Sequence, residues 1–184
     1  IMFVFGTRVS GYSLKSTIKN AIPAYFTGFG TQSSAATVPV SILAGKNNGI
    51  SNEIADYIYP LYANTHLPGS MISVSSVVLS VLMMIGEIPS PSVMIGFYLT
   101  IALVMSAAPG VPGGAIMAAL PFLGIVGIDS TGTIASLLIT LYLTQDSFGT
   151  SVNVTSDQAI VPILDSYYRS TLTRNRMMKP EKTN

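Results

Sequence analysis

Apolar residues in this chain fall into runs at 72–85, 93–108, 115–128 and 134–144. A membrane-spanning helix needs about 20 apolar residues, so these runs are short for ordinary spans. Their ends are marked by Pro68-Gly69, Gly86-Glu87, Pro109-Gly110, Pro112-Gly113-Gly114 and Gln145-Asp146. Pro and Gly interrupt helices, and within a bilayer such breaks are tolerated only where backbone is buried in protein or lines a polar cavity. The pattern therefore predicts half-helices and broken spans. A recurring motif refines this. Ser34-Ala35-Ala36-Thr37-Val38-Pro39 and Ser106-Ala107-Ala108-Pro109-Gly110-Val111-Pro112 share a Ser-Ala-Ala…Val-Pro pattern, and each precedes an apolar segment and then a polar break. Repeats with interrupted segments in corresponding positions point to a transporter site at the membrane midplane.

The expected fold class is an all-α multi-pass membrane protein, with two re-entrant helical hairpins and two transmembrane helices, one or both broken, related by an inverted repeat. Residues 1–10 are expected to end an apolar span that begins upstream, since no signal-peptide pattern is present. Residues 20–45 would form the first hairpin, and 53–86 a spanning helix broken at 64–70. Residues 92–128 would form the second hairpin, 132–167 the last span and 168–184 a basic cytoplasmic tail. All of this would make the chain the C-terminal part of a transport domain.

Composition strengthens the membrane reading. Only 9% of residues are charged against 49% hydrophobic, with mean hydropathy +0.55, whereas soluble domains carry roughly 25% charged residues. The chain lacks cysteine, so disulfides and Cys-based metal sites are excluded. Charge placement sets orientation. No Lys or Arg occurs between Lys46 and Arg169, and all nine basic residues lie towards the two ends. The positive-inside rule then places both ends in the cytoplasm of an inner or plasma membrane and requires an even number of crossings. The basic tail carries Arg169, Arg174, Arg176, Lys179 and Lys182. No nucleic-acid partner is expected. With no nucleophile–base pair and no metal-ligating cluster, neither is an enzyme.

The segment 144–157 concentrates the chemistry. Asp146, Thr150, Asn153 and Asp157 are four, three and four residues apart, which places them on one helical face. A lipid-facing Asp costs at least about 2.5–3.5 kcal/mol, so this face must meet protein or a cavity. The two acids have no basic neighbour in sequence and call for a cation: Na⁺, a proton or a substrate ammonium. Carboxylate and carbonyl oxygens suit hard cations.

The pattern Asp146-x-x-x-Thr150-x-x-Asn153-Val154-x-x-Asp157 resembles the last transmembrane helix of the dicarboxylate/amino acid:cation symporter (glutamate transporter) family. Thr31-Gln32-Ser33-Ser34-Ala35-Ala36-Thr37-Val38-Pro39 resembles that family's first hairpin tip, and Pro109-Gly110-Val111-Pro112-Gly113-Gly114-Ala115-Ile116-Met117 its second. The motifs stand in family order and cover nearly the whole chain. The resemblance implies that Asp146 takes a substrate α-ammonium and Asn153 the α-carboxylate, with a contact from Thr150. It implies backbone groups from Ser34 and Val111, a hydroxyl from Ser70, and a coupling Na⁺ held by Asp157 with the backbone around Asn153. It further implies upstream scaffold helices, a homotrimer, and alternating access with the second hairpin as outer gate.

Two departures bear on substrate. Gly149 stands where acidic-substrate members carry Arg, and Gln32 where some place another Arg. A buried substrate carboxylate without its cation is strongly disfavoured. A neutral or polar amino acid of the serine, threonine or cystine kind is expected, with Gly149 leaving room for a larger side chain. An acidic amino acid or dicarboxylate, and a channel-like or inactive module of the same fold, are the alternatives. The family's Asn-Met-Asp-Gly-Thr break aligns with His66-Leu67-Pro68-Gly69-Ser70, so one acidic ion ligand is replaced by Pro68. His66, the sole histidine, stands either as a neutral hydrogen-bonding group or as a route to proton coupling.

Overall fold

The computed structural model describes residues 1–177; of the basic tail, Lys179 and Lys182 lie outside the described residues. Helices α1 (Met2–Ser10), α2 (Leu14–Thr31), α3 (Ser34–Asn47) and α4 (Asn52–Thr65) are followed by α5 (Pro68–Ile85) and α6 (Pro91–Met105). A short α7 (Gly114–Ala119) runs into a 3-10 helix, Leu120–Val126, and α8 (Thr133–Met177) completes the chain. The described residues contain no strand, and their regular structure is helical.

Local chemistry sets the boundaries. Ser13 caps α2 by accepting from the Ser16 N–H, and Ser33 caps α3 by accepting from that of Ala36. Such side-chain oxygens satisfy donors that a helix start leaves orphaned. Pro68 and Pro91 open α5 and α6, where the missing N–H costs nothing. Between α2 and α3 the turn is made by Gln32 in the left-handed region at φ 52, the one non-glycine residue at positive φ among those described. The break anticipated around Pro68-Gly69 lies where α4 ends at Thr65 and α5 begins, across His66 and Leu67 in backbone that is not helical. Together, 52–85 form the one stretch of described helix long and apolar enough to cross a bilayer.

The long helix α8 is the axis, packed against α1, α2, α3, α4, α5 and α7. It runs unbroken to Met177, past the 167 boundary expected for the last span. The main core joins α5, α6, α7, the 3-10 helix and α8 through Val78, Phe97, Ile101, Ile116, Leu123 and Leu138. A smaller cluster forms around Tyr59, Ala55, Ile50 and Val161. Large apolar side chains also face outward, Leu103 at 75% exposure and Phe26 at 67%. That is the surface of a protein built to meet lipid or further helices.

Polar pairing includes several specific knots. Near the C-terminal end of α8, fully buried Asp165 accepts from the Ser51 N–H at 2.9 Å, from the Ser51 and Tyr12 hydroxyls, and from Arg169 Nε at 2.6 Å. One carboxylate thus ties the α1–α2 and α3–α4 connections to α8. Midway along, Tyr59 donates to Gln158 Oε1 at 2.8 Å while Gln158 Nε2 donates to the Ser41 carbonyl. At the other end exposed Asp129 closes the turn before α8. Its Oδ1 accepts from the Thr131 N–H at 2.9 Å and hydroxyl at 2.8 Å, which holds the carboxyl below the usual range.

Candidate functional site

The site is built on one face of α8. Tyr142, Asp146, Thr150, Asn153 and Asp157 follow each other at helical spacing and are all buried. Asp146 Oδ2 accepts from the backbone N–H of Gly113 at 2.7 Å, and Oδ1 from the Tyr142 hydroxyl at 2.9 Å. Thr150 Oγ1 lies 3.5 Å from the same Oδ1, at the limit of a hydrogen bond. No Lys, Arg or His forms an ion pair with Asp146 among the described residues; the ion pairs present involve Asp56, Asp157 and Asp165. Asp146 is therefore a buried acid held only by neutral donors.

Asn153 performs a different task. Its Oδ1 accepts from the N–H groups of Gly69 at 2.8 Å and Ser70 at 3.1 Å, and its Nδ2 donates to Ser70 Oγ at 2.8 Å. The orphan donors at the start of α5 are capped by a side chain from another helix. Close approach makes this possible. A Cβ on Gly69 would sit 2.2 Å from the Gly149 carbonyl oxygen, so α5 and α8 meet backbone to backbone. One turn further on, Asp157 Oδ1 lies 2.7 Å from His66 Nδ1. His66 in turn borders a cavity of about 180 Å³ shared with Pro68, Met71 and Met105.

The two Ser-Ala-Ala segments meet at Gly110. Its N–H donates to Asn64 Oδ1 at 2.9 Å, while its carbonyl accepts from the Ala35 N–H at 3.0 Å and the Ser33 hydroxyl at 2.8 Å. Glycine is required here because a Cβ would lie 2.1 Å from the Ala63 carbonyl oxygen.

The sequence-derived candidates are thus placed as follows. Thr150 reaches the same Asp146 oxygen that accepts from Tyr142, and Asn153 and Ser70 are directly bonded. Ser34 is buried beside Gly110, whereas the Val111 side chain is half exposed. Gln32 Nε2 donates to Ser147 Oγ at 3.0 Å, beside the acidic face rather than on it. A Cβ on Gly149 would meet Ser73 Oγ at 3.0 Å and the Gly69 backbone at 3.5 Å, so the space beside Gly149 is taken by α5. Asp157 meets His66, and the Asn153 carbonyl accepts from the Ser156 hydroxyl at 2.7 Å. No group of three or more His, Cys, Asp or Glu converges among the described residues. A cation at Asp157 would therefore draw its other oxygens from carbonyls and hydroxyls, donors suited to Na⁺.

Two contributors were not foreseen: Tyr142 and Asn64. Tyr142 carried a usable signal, standing four residues before Asp146 on the same stripe. Asn64 had none, because its partner Gly110 is distant in sequence.

The model of the sodium:dicarboxylate symporter family matches residues 1–167. The chain belongs to that family. Among relatives of this symporter-family chain, excitatory amino acid transporter 2 of Mus musculus is 28% identical over 158 residues, covering 85% of this chain and 27% of that protein. The Homo sapiens protein of the same name is 27% identical over the same coverage. The serine/threonine transporter SstT of Acinetobacter baylyi is 25% identical over 157 residues, covering 80% of this chain and 39% of that protein. This symporter-family chain thus spans between about a quarter and two fifths of the length of these relatives.

Proposed function

We propose that the protein is a secondary active symporter that couples Na⁺ entry to uptake of a neutral or polar amino acid. The observation that carries this is Asp146: a buried carboxylate with neutral donors on both oxygens and, among the described residues, no cationic side chain paired to it. Such a group is completed by a ligand that brings its own positive charge, as an α-ammonium does. Asn153, Ser70 and the backbone near Ser34 and Val111 are the proposed partners of the α-carboxylate. Thr150 adds a side-chain contact.

Preference for a neutral side chain rests on the missing arginine at position 149. It does not rest on extra volume there, since Ser73 and Gly69 fill it. The relatives' names divide on substrate, one an excitatory amino acid transporter and the other a serine/threonine transporter. The proposed mechanism is alternating access, with α2–α3 and α6–α7 acting as re-entrant hairpins related by an inverted repeat. The proposed setting is a homotrimer in the cell membrane, with the C-terminus cytoplasmic.

A substrate-competition panel on the full-length protein, run in Na⁺ and in choline, tests this. Uptake of serine, threonine or cystine in Na⁺ alone supports it. Aspartate or glutamate taken up equally well overturns the neutral-substrate reading, and electrodiffusive flux without accumulation overturns symport.

For the coupling ion, Asp157 with the backbone around Asn153 is the proposed Na⁺ site. A second reading, a proton at the same place, is favoured by the 2.7 Å contact of His66 with Asp157. Uptake in Na⁺-free buffer at varied pH separates the two.

A further inference from the structure

We propose that Tyr142 is a positioning residue for amine recognition: its hydroxyl fixes the Asp146 carboxylate so that Oδ2 is presented to the substrate ammonium. This rests on the reading of Asp146 as the ammonium acceptor.

The two strong donors to Asp146 differ in kind. Tyr142 belongs to the same helix as Asp146, one turn earlier, so the two move together. Its ring is fully buried in the main core, which leaves the side chain little freedom. Gly113 belongs to another segment, the connection into α7, and its contact is a single backbone N–H. Donation by Tyr142 to Oδ1 is thus a fixed part of α8, while donation by Gly113 to Oδ2 can be exchanged. A carboxylate free to rotate would present either oxygen to a ligand. One tied at Oδ1 presents Oδ2, and the arriving ammonium takes the place of the Gly113 N–H. Tyr142 also lies beside Ser70, whose hydroxyl is bonded to Asn153. The hydroxyl is therefore set between the proposed ammonium and carboxylate partners. A neutral donor fits this task, because a cationic one would compete with the substrate's own charge.

The test uses the full-length protein, with binding of L-serine and of its α-hydroxy counterpart, L-glycerate, measured for wild type, Tyr142→Phe, Asp146→Asn and the double variant. Phe keeps the ring and its packing. Tyr142→Phe is expected to weaken L-serine binding about tenfold or more, the loss of one hydrogen bond to a charged group, while leaving L-glycerate unchanged. In the Asp146→Asn background the same change is expected to have no effect on L-serine. Equal loss of both ligands makes Tyr142 a packing residue and overturns the proposal, as does unchanged L-serine binding. Tyr59→Phe, which removes a buried hydroxyl away from Asp146, is the control and should not separate the two ligands. If Asp146→Asn itself preserves the preference for L-serine over L-glycerate, the ammonium assignment fails, and the inference fails with it for a distinguishable reason.

Discussion

Replacing Gly69 by alanine probes the joint on which the site depends. The added Cβ would lie 2.2 Å from the Gly149 carbonyl oxygen and 2.7 Å from Val152 Cβ, whereas ordinary contact begins near 3.4 Å. Both obstacles belong to α8 backbone or to the β-carbon next to it, so neither can swing aside. The start of α5 must retreat by about 1 Å, the order of backbone shift that overpacking forces. The Gly69 N–H to Asn153 bond, now 2.8 Å, and the Ser70 N–H bond, now 3.1 Å, then stretch beyond useful length. Overpacking costs about 1–3 kcal/mol, and each lost hydrogen bond about 0.5–1.5 kcal/mol. We expect destabilisation of about 2–4 kcal/mol, since partial relaxation keeps these costs from adding in full. Thermal unfolding of the purified full-length protein reads the stability, and L-serine binding should fall as Asn153 loses its orientation. Gly96→Ala, where a Cβ meets nothing within 4 Å, should be neutral or slightly stabilising and serves as reference. A Gly69→Ala protein with unchanged melting and binding would refute the backbone-contact reasoning.

Asp165→Asn should cost about 2–3 kcal/mol, less than a fully buried pair because Arg169 is half exposed; unchanged thermal unfolding would remove Asp165 as the tie between the connections. Gly110→Ala should disrupt the meeting of the two Ser-Ala-Ala segments, seen as faster proteolysis at 106–113 with little change at 48–52. Asp129 titrates below the ordinary carboxylate range because Thr131 donates to its ionised form. The turn's contribution is therefore present above the ordinary value and lost as pH falls through the lowered one. Thr131→Ala keeps the backbone donor and should raise the Asp129 pKa part of the way back, measurable by carboxyl-resolved NMR.

Much of the helical layout was legible because it rests on local rules. Pro68-Gly69 and the Pro-Gly cluster after Ala108 mark helix ends in the sequence as they do in the structure, and the spacing of Asp146, Thr150, Asn153 and Asp157 puts them on one face of α8. What stayed hidden depends on tertiary contact. Tyr142 is the exception, since its contact with Asp146 is one helical turn long and its spacing already sets it on the acidic stripe. Asp165 reads as a solvated helix acid, yet it is fully buried, and most of its partners come from the chain before residue 52. The room that Gly149 suggests in sequence is filled by Ser73 and Gly69 of α5, because a missing side chain carries no trace of the helix packed against it.

The junction between α4 and α5 has a mechanical consequence. Asp146 and Asp157 are eleven residues apart on a continuous helix, roughly 16 Å at 1.5 Å per residue. Neither can reach the other, and α8 does not shorten. His66 grips Asp157, while Gly69 and Ser70 grip Asn153, one turn nearer to Asp146. Residues 66–70 therefore work as a yoke across α8: whatever displaces His66 from Asp157 pulls on the amides that orient Asn153.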